Sequence, residues 1–190
     1  MTLRSVLTIF AVLLAATACA STDDSGPVNA ACTDSPDALA PPPSSTPGDT
    51  PALFTLITTP NGWQRRGNLQ PDLVIYADGQ AVSTPGAVGP GGAPEPPPPS
   101  FAGYVPKCAV DAAIADTVDL ADADFGSPSI TDQGSRSIDY THDPAVELSV
   151  YAPGATNGLT PAQLDARSRF AAVYDKLVSG FVQTGPMAPR

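Results

Sequence analysis

The chain has 190 residues, with 9 Lys or Arg against 19 Asp or Glu, which gives a formal net charge of -10 at pH 7. Nucleic-acid binding depends on Lys and Arg that neutralise phosphates, and here the basic residues form no cluster beyond Arg65 and Arg66. This balance argues against nucleic acid as a partner and against attachment to anionic lipid by charge alone.

The first residues have the pattern of a secretory signal peptide. Arg4 precedes an apolar run over residues 6–16, and small residues lead up to Cys19. A run of this length is too short to be a permanent transmembrane anchor. A cysteine directly after the small residues predicts bacterial lipoprotein processing, in which the thiol of Cys19 takes up a diacylglyceryl group and residues 1–18 are cut away.

Two other fates of this segment stay open. Ala16, Thr17 and Ala18 also fit the site of ordinary signal peptidase, which would give a freely secreted protein, and an uncleaved signal anchor is the third alternative. The cysteine count favours lipidation, because the chain has 3 cysteines and lipidating Cys19 leaves an even pair. The expected location is the cell membrane, with the protein anchored through lipid on its extracytoplasmic face.

Residues 19–51 are rich in Pro, Ser and Asp and almost lack large apolar side chains. Such a segment cannot bury enough surface to offset its ordering entropy, so we expect a disordered tether between membrane and domain. An oxidising compartment favours a disulfide between Cys32 and Cys108, which would tie the tether to the domain. Two free thiols are the alternative.

Residues 52–182 are predicted to form one folded domain. Residues 52–59 and 73–77 have strand patterns, and an Asp-Gly turn pair predicts that the second strand reverses into a third at residues 80–83. Residues 84–100 are rich in Pro and Gly, which remove hydrogen-bond donors and add backbone entropy. We expect this stretch to be a disordered loop.

The last helix of the domain carries the strongest local pattern. Thr160, Pro161 and Gln163 form a capping box with proline in the first turn, and Gly180 is the expected end of the helix. Residues 183–190 are expected to be a flexible tail. The other elements predicted after the loop are a strand at 101–105, a helix after Pro106, and two strands at 137–142 and 145–152.

Together these elements predict the α+β class, with a small antiparallel sheet and about two amphipathic helices packed on one face. Four segments carry a further signal: LVIYADG (73–79), DFGSPSITD (124–132), LSVYA (148–152) and GLTPAQ (158–163). Through them the chain resembles, over roughly residues 70–180, a group of secreted or lipid-anchored actinobacterial proteins of unknown function. The resemblance implies the envelope address and the architecture, and it implies no catalytic residue.

The acidic loop at 124–132 is the first candidate for chemistry. Asp124 and its neighbours lack the third oxygen ligand and the distal glutamate of a calcium loop. Asp124 or Asp132 is therefore expected to cap backbone amides, with ligand binding as the alternative. His142 is the only histidine, and neither a zinc motif nor a nucleophile elbow occurs. We predict no catalytic residue, no metal site and no cofactor.

Trp63, Arg65 and Arg66 form the second candidate, in the loop between the first two predicted strands. An aromatic side chain beside cations can stack on a sugar ring or on a partner's side chain, although a lone Trp also packs at the edge of a core. The expected function is that of a non-catalytic binding or structural module for an envelope protein or a wall component. A small hydrolase that uses Asp residues and a ligand-binding lipoprotein are the alternatives.

Overall fold

The computed structural model describes residues 50–61, 70–86 and 98–186. Seven strands and two helices form within these ranges. The strands are β1 (Ala52–Thr59), β2 (Leu73–Tyr76), β3 (Gln80–Ser83), β4 (Phe101–Tyr104), β5 (Ser135–Tyr140), β6 (Val146–Tyr151) and β7 (Val182–Pro186), and the helices are α1 (Lys107–Asp119) and α2 (Pro161–Ser179).

All described strands belong to one antiparallel sheet with the order β6-β5-β1-β2-β3-β4-β7. The predicted α+β class is confirmed, although a sheet of seven strands is larger than the small sheet expected. The hairpin of β2 and β3 turns at Gly79, whose φ of 84° lies in the left-handed region that glycine adopts without strain.

The hydrophobic core lies between one face of the sheet and the two helices. Alternate residues of each strand point to opposite faces, so Phe54 and Leu56 of β1 are fully buried while Ile57 is partly exposed. The helices contribute buried stripes to the same core cluster. The largest fully buried side chains are Phe54, Phe170, Leu56, Leu73, Ile75, Leu120, Ile138, Leu148, Leu177, Val105, Val150 and Val173.

The capping box of α2 is confirmed. Thr160 Oγ1 accepts a hydrogen bond from Gln163 N at 3.3 Å, and Thr160 N donates to Gln163 Oε1 at 2.9 Å. The helix ends at Gly180, as predicted. These reciprocal bonds satisfy two backbone donors that would otherwise lack partners, and they fix where α2 begins.

The domain differs from the prediction at its ends. The predicted flexible tail from residue 183 is wrong in its first part, because Val182–Pro186 pair with β4 as the seventh strand. The sequence of β7 has weak strand propensity, but Gly103 of β4 lets its backbone approach closely, since a Cβ there would collide with the carbonyl of Val182. At the other end, Thr50 in the predicted tether donates to Asp78 Oδ2 at 3.2 Å.

The predicted disordered loop also has ordered ends. Thr84 is buried, and its hydroxyl lies 2.9 Å from the hydroxyl of Ser100. This contact closes the base of the loop beside β3 and β4. No helix in the described ranges is long and apolar enough to cross a membrane.

Candidate functional site

A cleft of about 760 Å³ opens at one end of the strands, where β1 and β6 end and β5 begins. Residues 58–61 form one wall, residues 133–136 form the second, and residues 152–157 form the third. Because the three segments are far apart in the sequence, the pairing of β5 with β1 and β6 is what brings them together. The volume falls within the usual range for small-molecule sites, about 300–1,000 Å³.

The described lining of the cleft is mixed and almost free of charge, with amides and hydroxyls beside apolar residues such as Pro60 and Ile130. Its side chains include the amides of Asn61, Gln133 and Asn157 and hydroxyls such as those of Thr59 and Ser135. Arg136 is the one charged side chain among the lining residues that the structure describes. Amides and hydroxyls can both donate and accept hydrogen bonds, so this surface suits a polar ligand.

Arg136 is held in place by an aromatic ring. Its guanidinium carbon lies 4.9 Å from the centroid of the Tyr174 ring, a cation–π contact. Its Nη1 also donates to Asp175 Oδ1 at 3.3 Å. This ion pair is weak, because the side chains of Arg136 and Asp175 are 36% and 68% exposed, and such surface pairs contribute about 0–1 kcal/mol.

The Tyr174 ring is itself fixed by two neighbours of its hydroxyl group. Its hydroxyl donates to Asp72 Oδ2 at 2.6 Å and lies 3.2 Å from Thr58 Oγ1. Burial and the hydrogen bond to Asp72 raise the pKa of the Tyr174 hydroxyl, so it stays protonated and keeps donating. The orientation of the Arg136 side chain therefore follows from Tyr174 and Asp175 of α2, with Tyr174 held by Thr58 of β1 and by Asp72, which directly precedes β2.

The wall formed by residues 152–157 begins with strained backbone. Ala152 has a φ of 46° and is buried, although the left-handed region costs a non-glycine residue about 1–3 kcal/mol. Its N–H donates to Gly134 O at 2.8 Å, and its carbonyl accepts from Arg167 Nη2 at 2.6 Å. These two bonds hold the strained residue against the start of β5.

Arg167 is a buried cation that sequence reasoning missed. It is 5% exposed, and besides Ala152 it donates to the carbonyls of Tyr151 at 2.7 Å and Phe125 at 3.1 Å. Burial lowers the pKa of the Arg167 guanidinium. The helical spacing could have indicated its burial. Arg167 lies three residues before Phe170 and seven before Tyr174, on the same buried stripe of α2.

The structure places Asp124 in a structural clasp outside the cleft lining. Asp124 Oδ1 accepts from Gly126 N at 2.8 Å, and Oδ2 accepts from Gln163 Nε2 at 2.8 Å. The hydrogen bond from Gln163 and then that from Gly126 lower the pKa of Asp124. The clasp is tight, since a Cβ on Gly126 would come within 2.6 Å of the Gln163 side chain. Asp124 thus fastens the loop after α1 to the start of α2.

We expect Asp124→Asn to lower the melting temperature, with a larger loss at about pH 6 than at about pH 3. Asparagine cannot accept from Gln163 with its amide nitrogen, and it does not ionise. Because the folded-state pKa of Asp124 lies below its unfolded value, its contribution is complete above the unfolded pKa and is lost as the pH falls through the folded one. Thermal melts at both pH values measure this, with exposed Asp132→Asn as the matched control. Equal losses at the two pH values would contradict the clasp.

The other predicted site residues are scattered. Asp132 is exposed, with a φ of 57°, and directly precedes Gln133 of the cleft. His142 is exposed and follows the end of β5 opposite the cleft. Cys108 is disulfide-bonded. The described ranges contain no group of three His, Cys, Asp or Glu able to hold a metal ion. The sites predicted at Cys19, Cys32, Trp63, Arg65 and Arg66 lie outside the described residues.

Comparison with known protein families, with curated proteins and with solved structures found no match. The resemblance of the four sequence segments therefore stays a prediction.

Proposed function

We propose that the protein is a cell-envelope lipoprotein, anchored through Cys19 on the extracytoplasmic face, whose single domain is a non-catalytic binding module. The cleft between residues 58–61, 133–136 and 152–157 is its proposed binding site. The observation that carries this proposal is a cleft lined by amides and hydroxyls among apolar residues, whose cation contacts Tyr174 and whose strained wall is held by Arg167.

The chemistry of the lining favours binding over catalysis. General acid–base catalysis needs a titratable group of suitable pKa within reach of the substrate. The lining residues that the structure describes include neither a carboxylate nor a histidine. His142 follows the far end of β5, and both carboxylate oxygens of Asp124 are occupied by hydrogen bonds of the clasp. Amide and hydroxyl side chains are suited to holding a polar ligand.

Two observations support the envelope address. The first residues have the signal-peptide pattern that ends at Cys19. Cys108 is disulfide-bonded, and disulfides persist in oxidising compartments outside the cytoplasm. Cys32 remains the proposed partner of Cys108. Trp63 follows Asn61 of the cleft by two positions in the sequence, and we propose that it adds a stacking surface for an envelope protein or wall component.

We expect the native protein to fractionate with membranes and its intact mass to fit a chain that begins at an acylated Cys19. The physical reason is that acyl chains supply the membrane affinity that an acidic protein lacks. Mass spectrometry with thiol alkylation, before and after reduction, measures both points, and it should find Cys32 and Cys108 blocked until reduction. The matched variant Cys19→Ser should leave the membrane fraction. An unmodified Cys19 in a soluble wild-type protein would contradict the lipid anchor.

A further inference from the structure

We propose that the cleft binds a small polar ligand through a carboxylate group, which pairs with the guanidinium of Arg136. The inference rests on the proposed binding function of the cleft and specifies the chemistry of its ligand. It assigns the anion to Arg136 and the neutral remainder of the ligand to the amide and hydroxyl side chains of the lining.

The one cation of the described lining favours an anionic ligand. Arg136 is the one charged side chain among the described lining residues, and its partner Asp175 lies outside the lining. Their ion pair is exposed and weak, so a ligand carboxylate can compete with Asp175 for the guanidinium. Acids farther away than about 8 Å are screened at physiological ionic strength. A single cation matches a single carboxylate better than a phosphate, whose higher charge is usually met by several donors.

Arg136 has hydrogen-bond donors to offer a ligand. A guanidinium has five N–H donors in a planar fork. Among the described residues one of them is used, in the 3.3 Å bond to Asp175, whose side chain is 68% exposed. An incoming carboxylate can therefore form the paired, charge-assisted hydrogen bonds that arginine makes best.

The Arg136 side chain is preorganised by its neighbours. Stacking on Tyr174 restricts the plane of the guanidinium, and the bonds of Tyr174 to Asp72 and Thr58 restrict the ring. Ordering a long side chain normally costs about 0.5–1.5 kcal/mol on binding, and here much of that cost is already met on folding. Thr58 also lines the cleft, so the support reaches the ligand surface directly.

Acidic sugars and short peptides with a free C terminus both carry the required group. Each has a carboxylate and a body rich in hydroxyl or amide groups that the lining can bind. The experiment is calorimetric titration of the mature chain, residues 19–190, purified from membranes in detergent. The probes are glucuronate with glucose as its neutral counterpart, and N-acetyl-alanyl-alanine with its C-terminal amide.

We expect one of the two acids to bind at least about tenfold more tightly than its neutral counterpart, and Arg136→Gln to weaken that acid by about tenfold to a hundredfold. Arg136→Lys, which keeps the charge without the planar fork, should restore part of the affinity. Arg169→Gln is the matched control, because Arg169 is an exposed arginine of α2 that pairs with Asp119 and should leave binding unchanged. Melting temperatures verify that each variant is folded.

The two proposals fail in different ways. If an acid and its neutral counterpart bind the wild type equally, or if Arg136→Gln binds as well as the wild type, the carboxylate inference is overturned while binding in the cleft stands. If none of the four probes binds the wild type, the carboxylate inference and the proposed binding function of the cleft are both overturned. Preference for glucuronate or for the dipeptide acid identifies which source supplies the carboxylate.

Discussion

Replacing Arg167 with Met is expected to lower the free energy of unfolding by about 3 kcal/mol or more, and the melting temperature by about 10 °C. Met keeps much of the aliphatic packing, but it cannot donate to the carbonyls of Phe125, Tyr151 and Ala152. A buried carbonyl left without a donor costs about 1–3 kcal/mol. The strained φ of Ala152 also loses the bond that holds it.

The matched control is Arg169→Met on the same helix. Arg169 pairs with Asp119 at the surface, and its side chain is 44% exposed, so its loss should cost less than about 1 kcal/mol. Chemical denaturation of both variants at neutral pH measures the two free energies. A loss for Arg167→Met no larger than that for Arg169→Met would show that the three carbonyls do not depend on the guanidinium.

The position of Arg167 also links stability to the cleft. Tyr151 and Ala152 lead directly into the wall formed by residues 152–157, so releasing their carbonyls should loosen that wall. Arg167→Lys separates charge from geometry, because lysine is cationic but lacks a fork that can reach three carbonyls together. We expect Arg167→Lys to be less stable than the wild type and more stable than Arg167→Met.

Local patterns predicted most of the elements of this fold. Strand patterns and the Asp-Gly turn pair predicted the strands from β1 to β6, and the capping box at Thr160 predicted the start of α2. The strand Val182–Pro186 was missed because its sequence contains Gly185 and Pro186, and it forms through pairing with β4 rather than through its own propensity. Propensity describes a segment alone, whereas this pairing depends on Gly103, about eighty residues earlier.

The cleft was beyond sequence reasoning for a related reason. Its walls come from three segments whose meeting depends on strand order, and the order β6-β5-β1 is a long-range property. Carboxylates often act in catalysis or ligand binding, so the acidic loop was a candidate site from the sequence. In the structure Asp124 instead fastens the start of α2. Arg136 and Arg167 lack a local motif, and their roles follow from the ring and the carbonyls that the fold places beside them.

Replacing Phe170 with Ala is expected to lower the free energy of unfolding by about 3–5 kcal/mol. Phe170 is 1% exposed at the centre of α2, and its ring lies 5.7 Å from that of Phe125 and 6.1 Å from that of Tyr174. Its removal leaves a cavity between α2 and the loop after α1, beside the Tyr174 ring that contacts Arg136. Since small domains are stable by about 5–15 kcal/mol, a large part of the stability depends on this side chain.

Leu164→Ala is the matched control, because Leu164 lies on the same helix but is 36% exposed and should cost only about 0.5 kcal/mol. Urea denaturation gives both free energies, and a loss below about 1 kcal/mol for Phe170→Ala would contradict its place in the core.

A second measurement separates packing from site geometry. Because Tyr174 orients Arg136 and packs on Phe170, the cavity should also weaken binding of a carboxylate in the cleft, under conditions where the variant is still folded. Phe170→Leu fills more of the cavity than Phe170→Ala does. It should recover stability and affinity together if the packing of Phe170 on Tyr174 couples the core to Arg136.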